Sequence, residues 1–113
     1  MSMTPSGMMP HEKVRIAAPA MRFIRHEKAY LKRVNKHAAV QLGQKLRQVT
    51  KTLSEFPGAG APTLAPGDVR RFVLPPYLFE YEIHPDEVVI LLIYHGRQDR
   101  LPQIDKDSDL SDS

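Results

Sequence analysis

The residues best suited to do chemistry follow one another in the run Tyr94–Arg100, which reads YHGRQDR. A guanidinium group such as that of Arg97 binds phosphate through paired hydrogen bonds, and a histidine such as His95 moves a proton near neutral pH. The residue types and their spacing alone favour a simpler interpretation. In it Gly96 ends a strand, Asp99 pairs with an arginine, and Arg97 and Arg100 are solvated.

Other residues would join this run if the predicted strands pair as an antiparallel sheet. In that arrangement His95 faces Tyr77, and a neighbouring strand carries Arg70 and Arg71. In such an arrangement the arginines could bind phosphate, and the histidine could move a proton near neutral pH. The run therefore raises the possibility of a phosphate-binding site, beside the simpler structural interpretation.

Motifs for other kinds of site are missing from the sequence. The five histidines show no spacing typical of a metal site, and the chain has no cysteine. Neither a phosphate-binding glycine loop nor a nucleophile elbow occurs, since PGAGAPTLAPG at 57–67 is better explained as a connecting loop. We therefore expect no metal and no cofactor.

The elements that would position these side chains begin with a short strand, Val14–Ala17, followed by a helix that Pro19 opens and that runs to about residue 34. Asn35 can cap a second helix. Its apolar stripe repeats at intervals of four and three residues and ends before Pro57-Gly58: Leu42, Leu46, Val49, Leu53 and Phe56.

Three strands are predicted after the loop at 57–67: Val69–Val73, Leu78–His84 and Val88–Tyr94. The order β-α-α-β-β-β predicts an α+β fold with a helical hairpin packed on a mostly antiparallel sheet. We expect one domain over residues 12–104, a mobile segment at 1–11 and a disordered acidic tail at 105–113.

The two faces of this sheet differ in character if His84 pairs with Val88. One face then carries Phe79, Tyr81, Ile83, Val89, Leu91 and Ile93, which is apolar enough to receive the helices. The opposite face would mix Leu78, Glu80, Glu82 and His84 with Val88, Ile90, Leu92 and Tyr94. A half-apolar sheet face of this kind is a candidate surface for a partner.

The formal net charge of +3 conceals two opposed halves. Residues 12–51 hold eleven Lys or Arg and two acids, for a net charge of +9, while residues 52–104 and the tail at 105–113 each carry −3. This asymmetry indicates a polyanionic partner, either nucleic acid or an acidic protein segment. Ordinary solvated helix faces would explain it equally well.

Membrane and secreted classes find no support in the sequence. No apolar run approaches the roughly 18–20 residues that a membrane helix needs, and the start MSMTPSGMMPHEK lacks the apolar core of a signal peptide. The lack of cysteine fits a reducing compartment. We therefore expect a cytoplasmic protein that has no membrane partner.

Several motifs together resemble the ParE-type toxins of the RelE/ParE superfamily, over roughly residues 13–102. They are VRIAAPA near the start, a helical hairpin that ends in LSEFP, then VRR, PPY and the terminal HGRQD. The resemblance implies the same α+β fold and a toxin of a type II toxin–antitoxin pair, of the plasmid-stabilisation type. It implies DNA gyrase as the target and a ParD-like antitoxin as the neutralising partner.

The related RelE-like toxins instead cleave messenger RNA on the ribosome, and two residues expected of them are missing here. They carry a catalytic Arg directly after the Tyr that begins the central strand, where this chain has Leu78, and a late Tyr, whereas no Tyr follows Tyr94. We therefore predict a toxin that is not an enzyme. Leu78, Glu80 and Glu82 replace the more basic residues usual on that strand, which leaves its toxicity open.

The resemblance and the charge pattern together supply two sets of candidate residues. For target binding they are Arg70, Arg71, Tyr77, His95, Arg97 and Asp99; for antitoxin binding they are Arg22, Arg25, Lys32, Leu78, Ile90 and Leu92. Two alternatives stay open, a ribosome-dependent endoribonuclease and a non-toxic basic binding module. Direct nucleic-acid binding is not expected, because only Phe23 and Tyr30 could stack on bases within the basic half.

Overall fold

The computed structural model describes residues 12–96. Two helices and five strands follow in the order β1 (Lys13–Ile16), α1 (Ala18–Val34), α2 (Lys36–Glu55), β2 (Ala61–Pro62), β3 (Val69–Leu74), β4 (Tyr77–Ile83) and β5 (Glu87–His95), with a 3₁₀ turn at Pro57–Ala59. The predicted mobile segment 1–11 and acidic tail 105–113 lie outside the described residues.

The strands form one sheet in the order β1-β5-β4-β3-β2. The first strand pairs with β5 in parallel, and the other neighbours are antiparallel. The predicted α+β fold, with a helical hairpin on a mostly antiparallel sheet, is confirmed. Strand β2 was not predicted, because its two residues, Ala61 and Pro62, are too few for any periodic signal and lie within the expected loop.

Asn35 joins the two helices and begins the second. Its side-chain Oδ1 accepts a hydrogen bond from the backbone N–H of Ala38 at 3.1 Å, and its own N–H donates to the carbonyl of Leu31 at 2.7 Å. The first bond satisfies one of the four amide donors that a helix start leaves without a partner. The predicted cap is confirmed.

Replacing Asn35 with Ala should lower the free energy of unfolding by about 1 kcal/mol, because the Ala38 amide loses its acceptor. Urea denaturation would measure the change. Asn35→Ser is the matched control, since serine also caps helices, and it should retain most of the stability. Equal losses in the two variants would contradict a capping role.

The core lies between the helical hairpin and one face of the sheet. The helices contribute Ala20, Ile24, Leu42, Val49 and Leu53, and the sheet contributes Tyr77, Phe79, Tyr81, Val88, Ile90 and Ile93. The predicted stripe of the second helix is thus largely buried, with Leu46 packed at its border. Phe56 departs from the expectation: it is 59% exposed, because α2 ends at Glu55 and Phe56 no longer continues the helical stripe.

A β-bulge in β5 corrects the predicted register. Tyr77 pairs with His95 and Glu80 with Leu92 as expected, but Tyr81 then pairs with Ile90, so that Leu91 is the extra residue. An extra residue reverses the faces of the rest of the strand. The expectation that Val88 and Ile90 lie on the face opposite the helices is therefore wrong, since both are buried in the core beneath the helices.

Tyr81 and Arg70 hold the 3₁₀ turn against the sheet. The hydroxyl of Tyr81 donates to the carbonyl of Pro57 at 2.6 Å and accepts from the buried N–H of Gly60 at 2.8 Å. Arg70 donates to the Gly60 carbonyl and to Asp68, each at 3.1 Å. The end of α2 is thereby connected to the centre of the sheet by buried and half-buried hydrogen bonds.

Candidate functional site

Tyr77 and His95, predicted to face each other, are cross-strand neighbours on the side of the sheet that the helices cover. Both contact Glu27 of α1. The Tyr77 hydroxyl donates to Glu27 Oε2 at 2.8 Å, and His95 Nε2 lies 3.3 Å from the same oxygen. One carboxylate, with a side chain only 12% exposed, therefore connects the end of the last strand to the first helix.

Phe23 lies one helical turn before Glu27 and completes the cluster. Its ring meets those of Tyr77 and His95 edge to face, with centroids 5.9 and 5.7 Å apart. The Tyr77 and His95 rings are 5.3 Å apart. Contacts of this geometry contribute about 0.5–1.5 kcal/mol each beyond the area they bury. We call Phe23, Glu27, Tyr77 and His95 the strand-end cluster.

The environment of Tyr77 raises the pKa of its hydroxyl above the usual value of 10.0. Burial is the largest cause, and the hydrogen bond and negative charge of Glu27 add to it. Both effects disfavour a phenolate in this position. Tyr77 therefore acts as a hydrogen-bond donor in the strand-end cluster and not as a base.

We expect the protein to lose stability as the pH rises above about 10, because the raised pKa of Tyr77 makes its folded form bind a proton that the unfolded chain has released. The stabilisation from this proton is fully present below the pKa that tyrosine has in the unfolded chain. It is lost as the pH rises toward the higher pKa of Tyr77 in the folded protein. Tyr77→Phe should therefore reduce the loss by about 1 kcal/mol near pH 11. Urea denaturation at about pH 8 and 11 measures it, with Tyr30→Phe as the exposed control.

Arg70 and Arg71 do not join the strand-end cluster. They pair with Tyr81 and Glu80, which places them four and three residues, or about 13 and 10 Å, along β3 from Leu74, the residue beside Tyr77. As neighbours on one strand they also point to opposite faces. Arg70 binds Asp68 and the 3₁₀ turn, while Arg71 pairs with Glu80, whose Oε2 also accepts from the hydroxyl of Tyr94. Among the described residues, no arginine faces His95 across the cluster.

Two further target-binding candidates, Arg97 and Asp99, lie outside the described residues. The described chain ends at Gly96, whose N–H donates to the carbonyl of Pro76 at 2.8 Å. His95 and Gly96 are thus both held to the beginning of β4, one by its side chain and the other by its backbone. The first two residues of the HGRQD segment are therefore held in a defined position relative to β4.

The candidates for antitoxin binding are divided between exposed and buried positions. Arg22, Arg25 and Lys32 are exposed on α1. Leu92 is 44% exposed on the face of the sheet opposite the helices, which we call the outer face. Ile90 is 1% exposed and belongs to the core because of the bulge, so it offers no accessible surface.

Leu78 differs from both groups. It lies on the outer face beside Tyr94, yet it is only 6% exposed. Val73, its partner on β3, is 57% exposed and was not among the predicted residues. Val73 and Leu92 therefore present more apolar surface on the outer face than Leu78 does.

Glu27 and Phe23 are the site residues that sequence reasoning missed. Helical spacing places Phe23 on the buried side of α1 but does not identify its partner in a strand that lies far along the chain. One signal pointed to Glu27: it is the only acid in α1, which holds five Lys or Arg. A single carboxylate in a strongly basic helix indicates a specific internal partner.

Within residues 12–96, no group of three or more His, Asp and Glu side chains is arranged to hold a metal ion. Among the same residues no helix is both long and apolar enough to cross a membrane.

Comparison with known families identifies the chain. The profile of the family described as "ParE toxin of type II toxin-antitoxin system, parDE" matches residues 14–100. The chain belongs to the ParE toxin family. The match runs from Val14 in β1 to Arg100, so it includes the strand-end cluster together with Arg97 and Asp99.

A solved structure supports the same fold. The chain of the chromosomal ParDE TA system from P. aeruginosa is similar to this one with a TM-score of 0.62 and 22% sequence identity, over 75% of this chain and 96% of that chain. At this identity the likeness shows a shared ParE-like fold. No curated protein matches the sequence.

Proposed function

We propose that this ParE-family chain inhibits DNA gyrase by binding it, without catalysing a reaction, and that a cognate ParD-like antitoxin neutralises it. The observation that carries the non-enzymatic part is the separation of the polar candidates. A ribonuclease needs cations placed where negative charge develops on the phosphate and a group that is free to move a proton. Arg70 and Arg71 are instead bound within the fold, on opposite faces of β3.

His95 supports the same proposal. Its Nε2 lies against Glu27, and its ring packs against those of Phe23 and Tyr77. A histidine held in this way positions the chain that follows it. The target-binding surface in this proposal is therefore the HGRQD segment, with Arg97 and Asp99 presented by the anchored end of β5.

Antitoxin binding is proposed for two surfaces. The exposed cations Arg22, Arg25 and Lys32 favour an acidic segment along α1, and Val73 and Leu92 offer apolar contacts on the outer face. In such interfaces the apolar contacts supply most of the affinity, and the charges mainly set the association rate and the choice of partner. The protein would act in the cytoplasm, where gyrase and its DNA are found.

Induced expression in bacteria tests the gyrase proposal. We expect filamentous cells and a DNA-damage response while bulk translation continues at first, and co-expression of the antitoxin should restore growth. Arg97→Ala and His95→Ala should abolish the toxicity, whereas His26→Ala, an exposed histidine on α1, should leave it unchanged. Immediate arrest of translation with cut messages would contradict the proposal and favour a ribosome-dependent endoribonuclease.

A further inference from the structure

The helical hairpin exposes eight Lys or Arg side chains and no fully exposed acidic one. Its exposed cations are Arg22, Arg25, Lys28, Lys32 and Arg33 on α1 and Lys36, Arg47 and Lys51 on α2. Four of those on α1 recur three or four residues apart, which places them along one side of the helix. We call these eight side chains the basic hairpin face.

The carboxylates of the two helices neutralise only one of the eight cations of this face. Glu27 is turned inward to Tyr77 and His95, and Glu55 pairs with Lys51 at the end of α2. Within residues 12–96, Lys51 is the only one of the eight cations in an ion pair. Like charges at this spacing repel one another, so an anionic segment that lies over them would be stabilising.

An anionic segment exists in the same chain. Residues 105–113 contain four Asp and one Lys. The described chain ends at Gly96, directly after His95, which contacts Phe23 and Glu27 of α1. The eight residues 97–104 span up to about 28 Å when extended, and a helix with its side chains is only about 10–12 Å across. The acidic segment is therefore within reach of the α1 cations.

We propose that residues 105–113 bind the basic hairpin face of their own molecule and compete there with external polyanions. Each Asp–Lys or Asp–Arg contact at a surface is weak and screened by salt. The covalent connection raises the effective concentration of the tail to the millimolar range, which compensates for the weak contacts. Such a tail repels polyanions that bind by charge alone and yields to a partner that also has apolar anchors.

This inference needs neither gyrase nor an antitoxin, so its test is separate from that of the proposed function. The chain has no cysteine, so Ser113→Cys supplies a single site for a nitroxide spin label. At about 0.05 M salt, the label should broaden amide resonances of α1 and α2 near Arg25 and Lys32. The broadening should disappear in about 0.5 M salt and when the four tail Asp residues are changed to Asn.

The same experiment can overturn the proposal. Absence of broadening on the helices at low salt, or broadening confined to the outer face near Leu92, would exclude docking on the basic hairpin face. A mixture of labelled, isotope-free protein with unlabelled, isotope-enriched protein tests for a second copy. If broadening persists there at full strength, the tail binds another molecule and the intramolecular proposal is wrong.

Competition with a polyanion gives an independent measurement. A fluorescent polyglutamate peptide should bind the variant with Asn at positions 105, 107, 109 and 112 about fivefold more tightly than the unaltered chain at low salt. The two proteins should become equal at about 0.5 M salt. Equal affinities at low salt would show that the tail does not occupy the basic hairpin face.

Discussion

Replacing Gly60 with Ala should lower the free energy of unfolding by about 3 kcal/mol, one of the largest effects we expect from a single small substitution. A Cβ at this position would lie 2.7 Å from the carbonyl oxygen of Arg71 and 2.8 Å from the hydroxyl of Tyr81. The carbonyl belongs to the backbone of β3 and cannot move without disturbing the sheet. The hydroxyl is the buried acceptor of the Gly60 N–H, so moving it breaks that bond.

Gly58 provides a matched control for this substitution. It lies two residues earlier, in the 3₁₀ turn, and a Cβ there would meet no atom within 4 Å. Gly58→Ala should therefore leave stability within about 1 kcal/mol of the unaltered protein, or raise it slightly by restricting the unfolded chain. Urea denaturation of both variants measures the difference. Similar values for the two would show that the close approach at Gly60 can relax without cost.

Reversing three charges on α1 should have the largest effect on partner binding. With Arg22, Arg25 and Lys32 all changed to Glu, the association rate of the proposed antitoxin should fall about 100-fold at low salt. The three side chains are exposed, so their contribution is mainly long-range attraction of an acidic partner. Stopped-flow mixing over a range of salt concentrations measures the rate.

Three controls separate charge from structure in this experiment. The same positions changed to Gln remove half as much charge and should give an intermediate rate. The rates of all variants should converge at about 0.5 M salt, where such attraction is screened. A thermal melt verifies that the helices remain folded. An unchanged rate at low salt in the Glu variant would mean that the antitoxin does not approach along α1.

Local signals predicted both helices and four of the five strands well. Pro19 near the start of α1, Asn35 at the start of α2 and the stripe from Leu42 to Leu53 each report on neighbours within a few residues. These signals depend on backbone geometry and on helical or strand periodicity, which a sequence displays directly. The cross-strand pair Tyr77–His95 was also predicted correctly, because the extra residue of the bulge offsets a one-residue difference between the predicted and the observed pairing at the turn.

The bulge itself was beyond sequence reasoning. Val88, Val89, Ile90, Leu91, Leu92 and Ile93 form an unbroken apolar run, so either register buries apolar residues. Which register forms depends on how the run packs against α1 and β1. The observed packing places Val88 and Ile90 in the core. One extra residue then moved a predicted partner-binding side chain, Ile90, to the interior.

The polar candidates illustrate the same division. Strand periodicity already requires the adjacent Arg70 and Arg71 to point to opposite faces, so their separation was available from the sequence. The partners of these two arginines could not be predicted from the sequence. Arg70 binds the 3₁₀ turn, and Arg71 binds Glu80. The position of Glu27 between Tyr77 and His95 joins residues that are 50 and 68 positions apart.

The sequence and the tertiary structure each account for part of what is known of the YHGRQDR run at residues 94–100. The sequence by itself determined the α+β fold, the ParE resemblance and the opposition between a basic helical half and acidic remainder, because these depend on local periodicity, motif order and composition. The tertiary structure alone decided which side chains support the run. Packing of α1 on the sheet places Glu27 and Phe23 against His95, and contacts between elements distant in sequence leave no periodic signal in the chain.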